Sequence, residues 1–156
     1  VELLPTGSGD DLGCDAVDIN AVDIDAVDID VDPHRIDREV VWEFLSTHAY
    51  WARWRTRADV ETQLDRAWRV AGAYRDGHLV GFARAVSDGV AFGYLADVFV
   101  LPEARGLGVG KAVVDAVIEG DPRIRWVLFT DDAHGLYAAK GFVPADATCM
   151  VRPSAV

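Results

Sequence analysis

The sequence predicts one α+β domain built on a mixed central sheet and preceded by an acidic tail. Three observations carry that expectation. Two amphipathic helical patterns open the domain, and three alternating strands follow, separated by Asp-Gly turns. A strand then runs through a glycine-rich turn into an apolar helix and on to another short strand. A strand–helix–strand crossover joins parallel neighbours, whereas the hairpins before it are antiparallel, so the sheet is mixed.

The chain has 156 residues, enough for one domain with a sizeable core. Its net charge of −11 is unevenly placed. Residues 1–34 hold ten acids and no Lys or Arg, which leaves 16 acids against 15 bases in the rest. The domain proper is nearly neutral, so no nucleic-acid partner is expected. No apolar run is long enough to span a bilayer and no basic start precedes an apolar block, so neither a membrane partner nor a secretory leader is expected. Cys14 and Cys149 form neither a disulfide framework nor a zinc spacing. A reduced, cytoplasmic protein without a metal is the expectation.

Taken in order, the segments DAVDI, NAVDI and DAVDI repeat with a period of five from Asp15. That period fits neither strand alternation nor a solenoid, so 1–26 is expected to be a disordered low-complexity tail and 27–156 the domain. A first strand is expected around 27–31. Asp37 caps a helix whose Val40, Val41, Phe44, Leu45 and His48 recur at three- and four-residue steps. Residues 49–57 mix aromatics with arginines and read either as a connection that closes the core or as a pocket wall. A second helix follows Thr56, with Val60, Leu64, Ala67 and Trp68 on one face. Strands over 70–74 and 79–86 flank the Asp76-Gly77 turn, and 92–101 is the third strand of the meander. The apolar helix over 108–119 stops at Gly120-Asp121-Pro122. Residues 125–130 form the parallel strand, Asp131 and Asp132 cap a last helix carrying His134 and Tyr137, and a closing strand or hairpin surrounds Pro144.

The chemistry concentrates in 94–111. A buried strand, a glycine-rich turn and a helix start together make an anion site, because the first helical N–H groups have no intrahelical acceptor. A Walker loop is excluded: Arg105 stands where its first glycine belongs and Ala112 follows the lysine. The glycines at 106, 108 and 110 run G-x-G-x-G, which also misses the dinucleotide fingerprint. The pattern present is R-x-x-G-x-G preceded by V-x-P, and Leu136-Tyr137-Ala138-Ala139-Lys140-Gly141-Phe142 follows downstream. These two motifs, at this spacing and in this order of elements, resemble the GNAT superfamily of N-acetyltransferases over most of 34–152. Residues 79–100 further resemble a small bacterial subgroup of that superfamily.

The resemblance implies acetyl-CoA as co-substrate and a primary amine, small molecule or peptide, as acceptor. A non-catalytic acyl-CoA-binding module is the alternative, and a homodimer is an assembly left open. By the same resemblance, Arg105, Gly106, Gly108, Val109, Gly110 and Lys111 hold the pyrophosphate, and backbone at Phe99 and Val100 meets the thioester and its arm. Tyr137 matches the family's leaving-group acid. Many relatives carry an asparagine seven residues before that tyrosine, where it binds the CoA arm; Thr130 stands there instead and is the expected contact, since its hydroxyl can still hydrogen-bond. Asp97 is the candidate base: alternation points it with Leu95 and Phe99, and burial among apolar neighbours would raise its pKa. The structural alternative is a carboxylate accepting backbone or arginine hydrogen bonds. His134 and a water chain are the other candidate bases. Acceptor walls are expected from 48–57, the 75–78 turn and the C-terminal hairpin. Arg53, Arg55 and Arg57 either hold an acidic acceptor or face solvent.

Overall fold

The computed structural model describes residues 26–155, so the first two copies of the repeat and the expected tail up to residue 25 lie outside the described residues, while the third copy runs into β1 (Asp28–Asp30). Asp37 accepts from the Glu39 and Val40 N–H groups and starts α1 (Arg38–Thr47). Thr56 forms a reciprocal capping box with Asp59 and starts α2 (Arg57–Asp65). Both helices lay apolar faces on one side of a five-stranded sheet, made of β1 (Asp28–Asp30), β2 (Arg69–Arg75), β3 (His78–Ser87), β4 (Phe92–Val100) and β5 (Arg125–Val127). Spatial order follows chain order; all pairs are antiparallel except β4 with β5. The crossover helix α3 (Val109–Ile118) covers the opposite face. Its Val109, Val113, Val114 and Val117 are buried. Valine is a modest helix former, so packing against the sheet holds this helix more than propensity does.

The sheet is deformed at two places, and both shape the site. Phe82 pairs with Phe99 and Arg84 with Ala96, so β4 carries one residue more than β3 across that interval. The bulge falls at Asp97, whose φ of 52° lies in the left-handed region. Alternation breaks there: Leu95 packs on the α3 face while Phe99 packs on the α1–α2 face, its ring 4.1 Å from Phe44. The expectation that Asp97 shares a face with both Leu95 and Phe99 is therefore corrected. Secondly, β5 pairs with β4 only from Phe92↔Arg125 to Tyr94↔Val127. Beyond Val127 the two segments part, so the predicted strand to Thr130 ends early.

Other boundaries differ as well. Asp76 and Gly77 both have positive φ, which makes the predicted tight hairpin turn. The last helix, α4 (His134–Ala138), has Ala133 at its N-cap with no side-chain cap, so Asp131 and Asp132 do not cap it. Instead Thr130 Oγ1 accepts from the Ala133 N–H at 3.1 Å. Among the described residues no strand follows β5: 143–155 is irregular, and Val143 is 82% exposed. The closing hairpin around Pro144 is absent because this segment lays no apolar row against the sheet edge. No described helix is long and apolar enough to cross a membrane.

Candidate active site

The opening between β4 and β5 is a cavity of about 360 Å³. One wall is β4 at 95–98 and the other is the chain at 128–133, with Tyr137 beyond it. Tyr50, Trp51 and Trp54 close the third side. These aromatics are 40–59% exposed and wall the cavity, while Ala49 and Ala52 of the same segment pack in the core. The 75–78 turn and the C-terminal segment do not line it.

The floor is ionic. Asp97 accepts from Arg55 Nη1 and Nη2 at 3.1 and 2.8 Å and from Arg84 Nε at 2.8 Å. All three side chains are at most 8% exposed. Burial alone would push the Asp97 carboxyl up, but the Arg55 hydrogen bonds and the charges of Arg84 and Arg55 together hold it below the ordinary value. The expected rise in pKa is thus corrected, for a reason the strand pattern does not carry. Two guanidinium groups from distant parts of the chain reach this carboxylate. Asp97 holds the floor together as an ion-pair centre, the structural alternative named above. Arg57 instead pairs with Glu39 on the outer surface, and Arg53 is exposed.

Tyr137 lies at the cleft, 9% exposed, with its ring 5.8 Å from Phe142 in an edge-on contact. Burial, helped by the negative charge of Asp132, pushes its phenol up to about 12. Such a phenol keeps its proton across the physiological range and presents an O–H donor. His134 is exposed and does not line the cavity. Thr130 does line it, with its oxygen already accepting from Ala133.

The glycine loop follows the end of β4, and Gly110 at the start of α3 lies against Val100 and Leu136. Pro102–Ala104 makes one 3-10 turn, and Gly106 and Gly108 follow with φ near 80° (80° and 78°). Only residues without a Cβ adopt that conformation cheaply, and Gly108 is the N-cap of α3. No side chain caps this terminus and no acid lies in its first turn. Ala112 makes the first intrahelical bond, to Gly108 O, so the N–H groups of Val109, Gly110 and Lys111 have no acceptor within the helix. Arg105 and Lys111 are exposed beside them, and Arg105 Nε donates to the Val100 carbonyl at 3.1 Å. Leu101 N–H bonds Val80 O, so alternation turns the Val100 peptide to the open edge and the Phe99 peptide towards β3. Of the two expected backbone contacts, Val100 has its peptide groups on the unpaired edge of β4, though neither residue lines the cavity; Phe99 contributes its ring to the core.

Sequence reasoning missed Arg84, which sits in a strand that reads as apolar, and Tyr94 and Phe129, whose rings flank the opening 6.0 Å apart. Nothing in local pattern marks them, because the opening exists only once β4 and β5 separate.

Known proteins share this fold. The sequence pattern of the Acetyltransferase (GNAT) family matches residues 32–142. A crystal structure of "a putative acetyltransferase belonging to the gnat family" from Xanthomonas campestris pv. campestris is 39% identical, with a TM-score of 0.76 over 82% of this chain and 93% of that one. A GNAT family acetyltransferase from Streptococcus pneumoniae TIGR4 shares the fold at 21% identity, with a TM-score of 0.66 over 83% of this chain and 99% of that one. A curated "Putative acetyltransferase" of Gibberella zeae is 42% identical over 60 residues, 35% of this chain; the chain spans about a third (34%) of that relative's length. With a family pattern running from the first helices through the Tyr137–Phe142 motif, this chain belongs to the GNAT acetyltransferase family.

Proposed function

We propose that this chain transfers an acetyl group from acetyl-CoA to a primary amine by direct attack of the amine on the thioester. One observation carries the reading: an uncapped helix N-terminus follows the end of β4 and lies against Leu136, and the adjacent Tyr137, protonated, lines the opening beside β4. The loop fits the co-substrate. The free N–H groups at 109–111, the positive end of the α3 dipole and the exposed Arg105 and Lys111 all suit a pyrophosphate. A Cβ at Gly106 would meet no atom within 4 Å, so the loop surface is open to a ligand.

Acetyl-CoA supplies an activated acyl group on a thiol leaving group. Tyr137 donates its phenolic proton to the departing sulfur. The Val100 peptide, facing the open edge, orients the co-substrate arm beside β4. Asp97, held below its ordinary pKa by Arg55 and Arg84, does not accept the amine proton. That proton leaves through water at the cleft mouth, where Asp131 and Asp132 are exposed.

Thermal unfolding and thiol release test the reading together. Acetyl-CoA is expected to raise the melting temperature, and an accepted amine to release free thiol. Gly108→Val places a branched side chain at φ 78° and costs about 1–2 kcal/mol locally. It is expected to weaken acetyl-CoA binding at least tenfold. No thermal shift with acetyl-CoA, or equal affinity in Gly108→Val, would remove the loop from the argument. Binding without thiol release from any amine would favour a non-catalytic module.

A further inference from the structure

The ionic floor of the cavity is unbalanced. Arg55 and Arg84 bring two positive charges and Asp97 brings one negative charge, all at most 8% exposed. Among the described residues Asp97 is the one carboxylate hydrogen-bonded to either arginine, and Asp59 acts on Arg55 through space alone. Buried charge without a partner is costly. The donors are unbalanced too. Arg55 Nε is buried without an acceptor, although Nη1 also serves Gln63 Oε1 at 2.6 Å. Arg84 uses Nε on Asp97, and no acceptor among the described residues meets its Nη atoms. Both arginines line the cavity.

The mouth has the opposite sign. Asp131 and Asp132 are exposed there. Asp131 holds the Tyr50 phenol above its ordinary pKa through a hydrogen bond, and Asp132 lies close enough to act on Tyr137. Trp51, Trp54, Tyr94 and Phe129 line the space between the two ends. Its volume of about 360 Å³ lies near the lower limit for small-molecule sites, too small for a folded peptide segment.

Resting on the transferase reading above, we propose that the acceptor is a zwitterion of amino-acid size with an apolar or aromatic body. Its carboxylate sits on the free Nη donors of Arg84, beside the Arg55 guanidinium, and its amine points to the acidic mouth beside Tyr137. Arginine suits this seat because its planar fork matches a carboxylate. The step itself is the transfer already described: the amine nitrogen bonds the acetyl carbon, the carbon–sulfur bond breaks, and the released thiol takes a proton. The carboxylate is not altered.

Two measurements on the full chain test this. In the first, thiol release is followed for the twenty amino acids, each offered as free acid and as primary amide. The best-accepted free acid is expected to exceed its amide at least tenfold in kcat/KM. Amides that match or surpass their acids, or a neutral or polycationic amine that outruns every free amino acid, would overturn the carboxylate seat and leave the transferase reading standing. In the second, 3-phenylpropionate, which has the anion and no amine, is titrated into the CoA-loaded protein and followed by tryptophan fluorescence. Saturable binding is expected, weakened at least tenfold in Arg84→Gln. Where that variant fails to fold, Arg84→Lys keeps the charge beside Asp97 but loses the fork, and the same weakening is expected. Absence of saturable binding by this or any other aromatic or aliphatic carboxylate would refute the seat. This arm reads the seat whether or not any amine is acetylated. Carboxylate binding without transfer would refute the transferase reading alone.

Discussion

Replacing Asp97 by asparagine isolates the charge at the centre of the cavity floor. Asparagine has nearly the same size, and it tolerates the left-handed φ of 52° as aspartate does. Backbone strain therefore changes little. What changes is that three guanidinium N–H donors lose their anion. Removing one partner of a buried ion pair costs about 3–5 kcal/mol, because the remaining charge stays buried and unpaired. Unfolding entropy is about 2.1 cal/mol/K per residue, or about 270 cal/mol/K for the roughly 130 residues of the domain. A loss of about 4 kcal/mol then lowers the melting temperature by about 15 °C. Circular dichroism during heating at pH 7 reads this directly. The pH dependence supplies a second check. The folded pKa of Asp97 is depressed, so its stabilisation is present above the unfolded value of about 4 and is lost as pH falls through the folded value. The difference between parent and Asp97→Asn should stay level from about pH 5 to 9 and close only in acid. A variant melting within about 2 °C of the parent would refute the ion-pair centre. So would a difference that collapses between about pH 6 and 8, as a base titrating near neutrality would give.

Tyr137→Phe is expected to lower kcat by about 100-fold or more while KM changes little, since general acid catalysis supplies about that factor. An unaltered kcat would exclude Tyr137 as the acid. Because the folded phenol is raised to about 12, any stability it gains over phenylalanine is complete below the unfolded pKa of about 10 and is lost as pH rises through the folded value. Parent and Tyr137→Phe should therefore differ in melting temperature by a constant amount from about pH 6 to 9, and a slope in that window would contradict the raised value. Gly93→Ala tests the neck where β4 and β5 are still joined. Its Cβ would stand 2.4 Å from the Trp126 ring, so the ring must move. A cost of about 1–3 kcal/mol is expected in urea unfolding. No change in midpoint would show that Trp126 yields freely and does not set the neck.

The chain alone determined what short-range chemistry decides. Asp37 and Thr56 announced their helices because a capping oxygen lies two or three residues from the N–H groups it serves. Asp76-Gly77 announced its hairpin because only a few residues tolerate its backbone. The glycine loop before α3 and the Tyr137-to-Phe142 motif were legible for the same reason: their spacing along the chain is their function. Tertiary structure alone decided the rest. Asp97 lies 42 residues from Arg55 and 13 from Arg84, and no local pattern records which distant side chains will enclose a carboxylate. The extra residue in β4 turns its side chain off the predicted alternation, and an inserted bulge leaves period-two reasoning without a signal. The separation of β4 from β5 after Tyr94 depends on two strands failing to pair, which is a property of neither strand by itself. Local hydrogen bonding thus set the elements and the loop, while long-range ion pairing and strand divergence made the cavity and its charge.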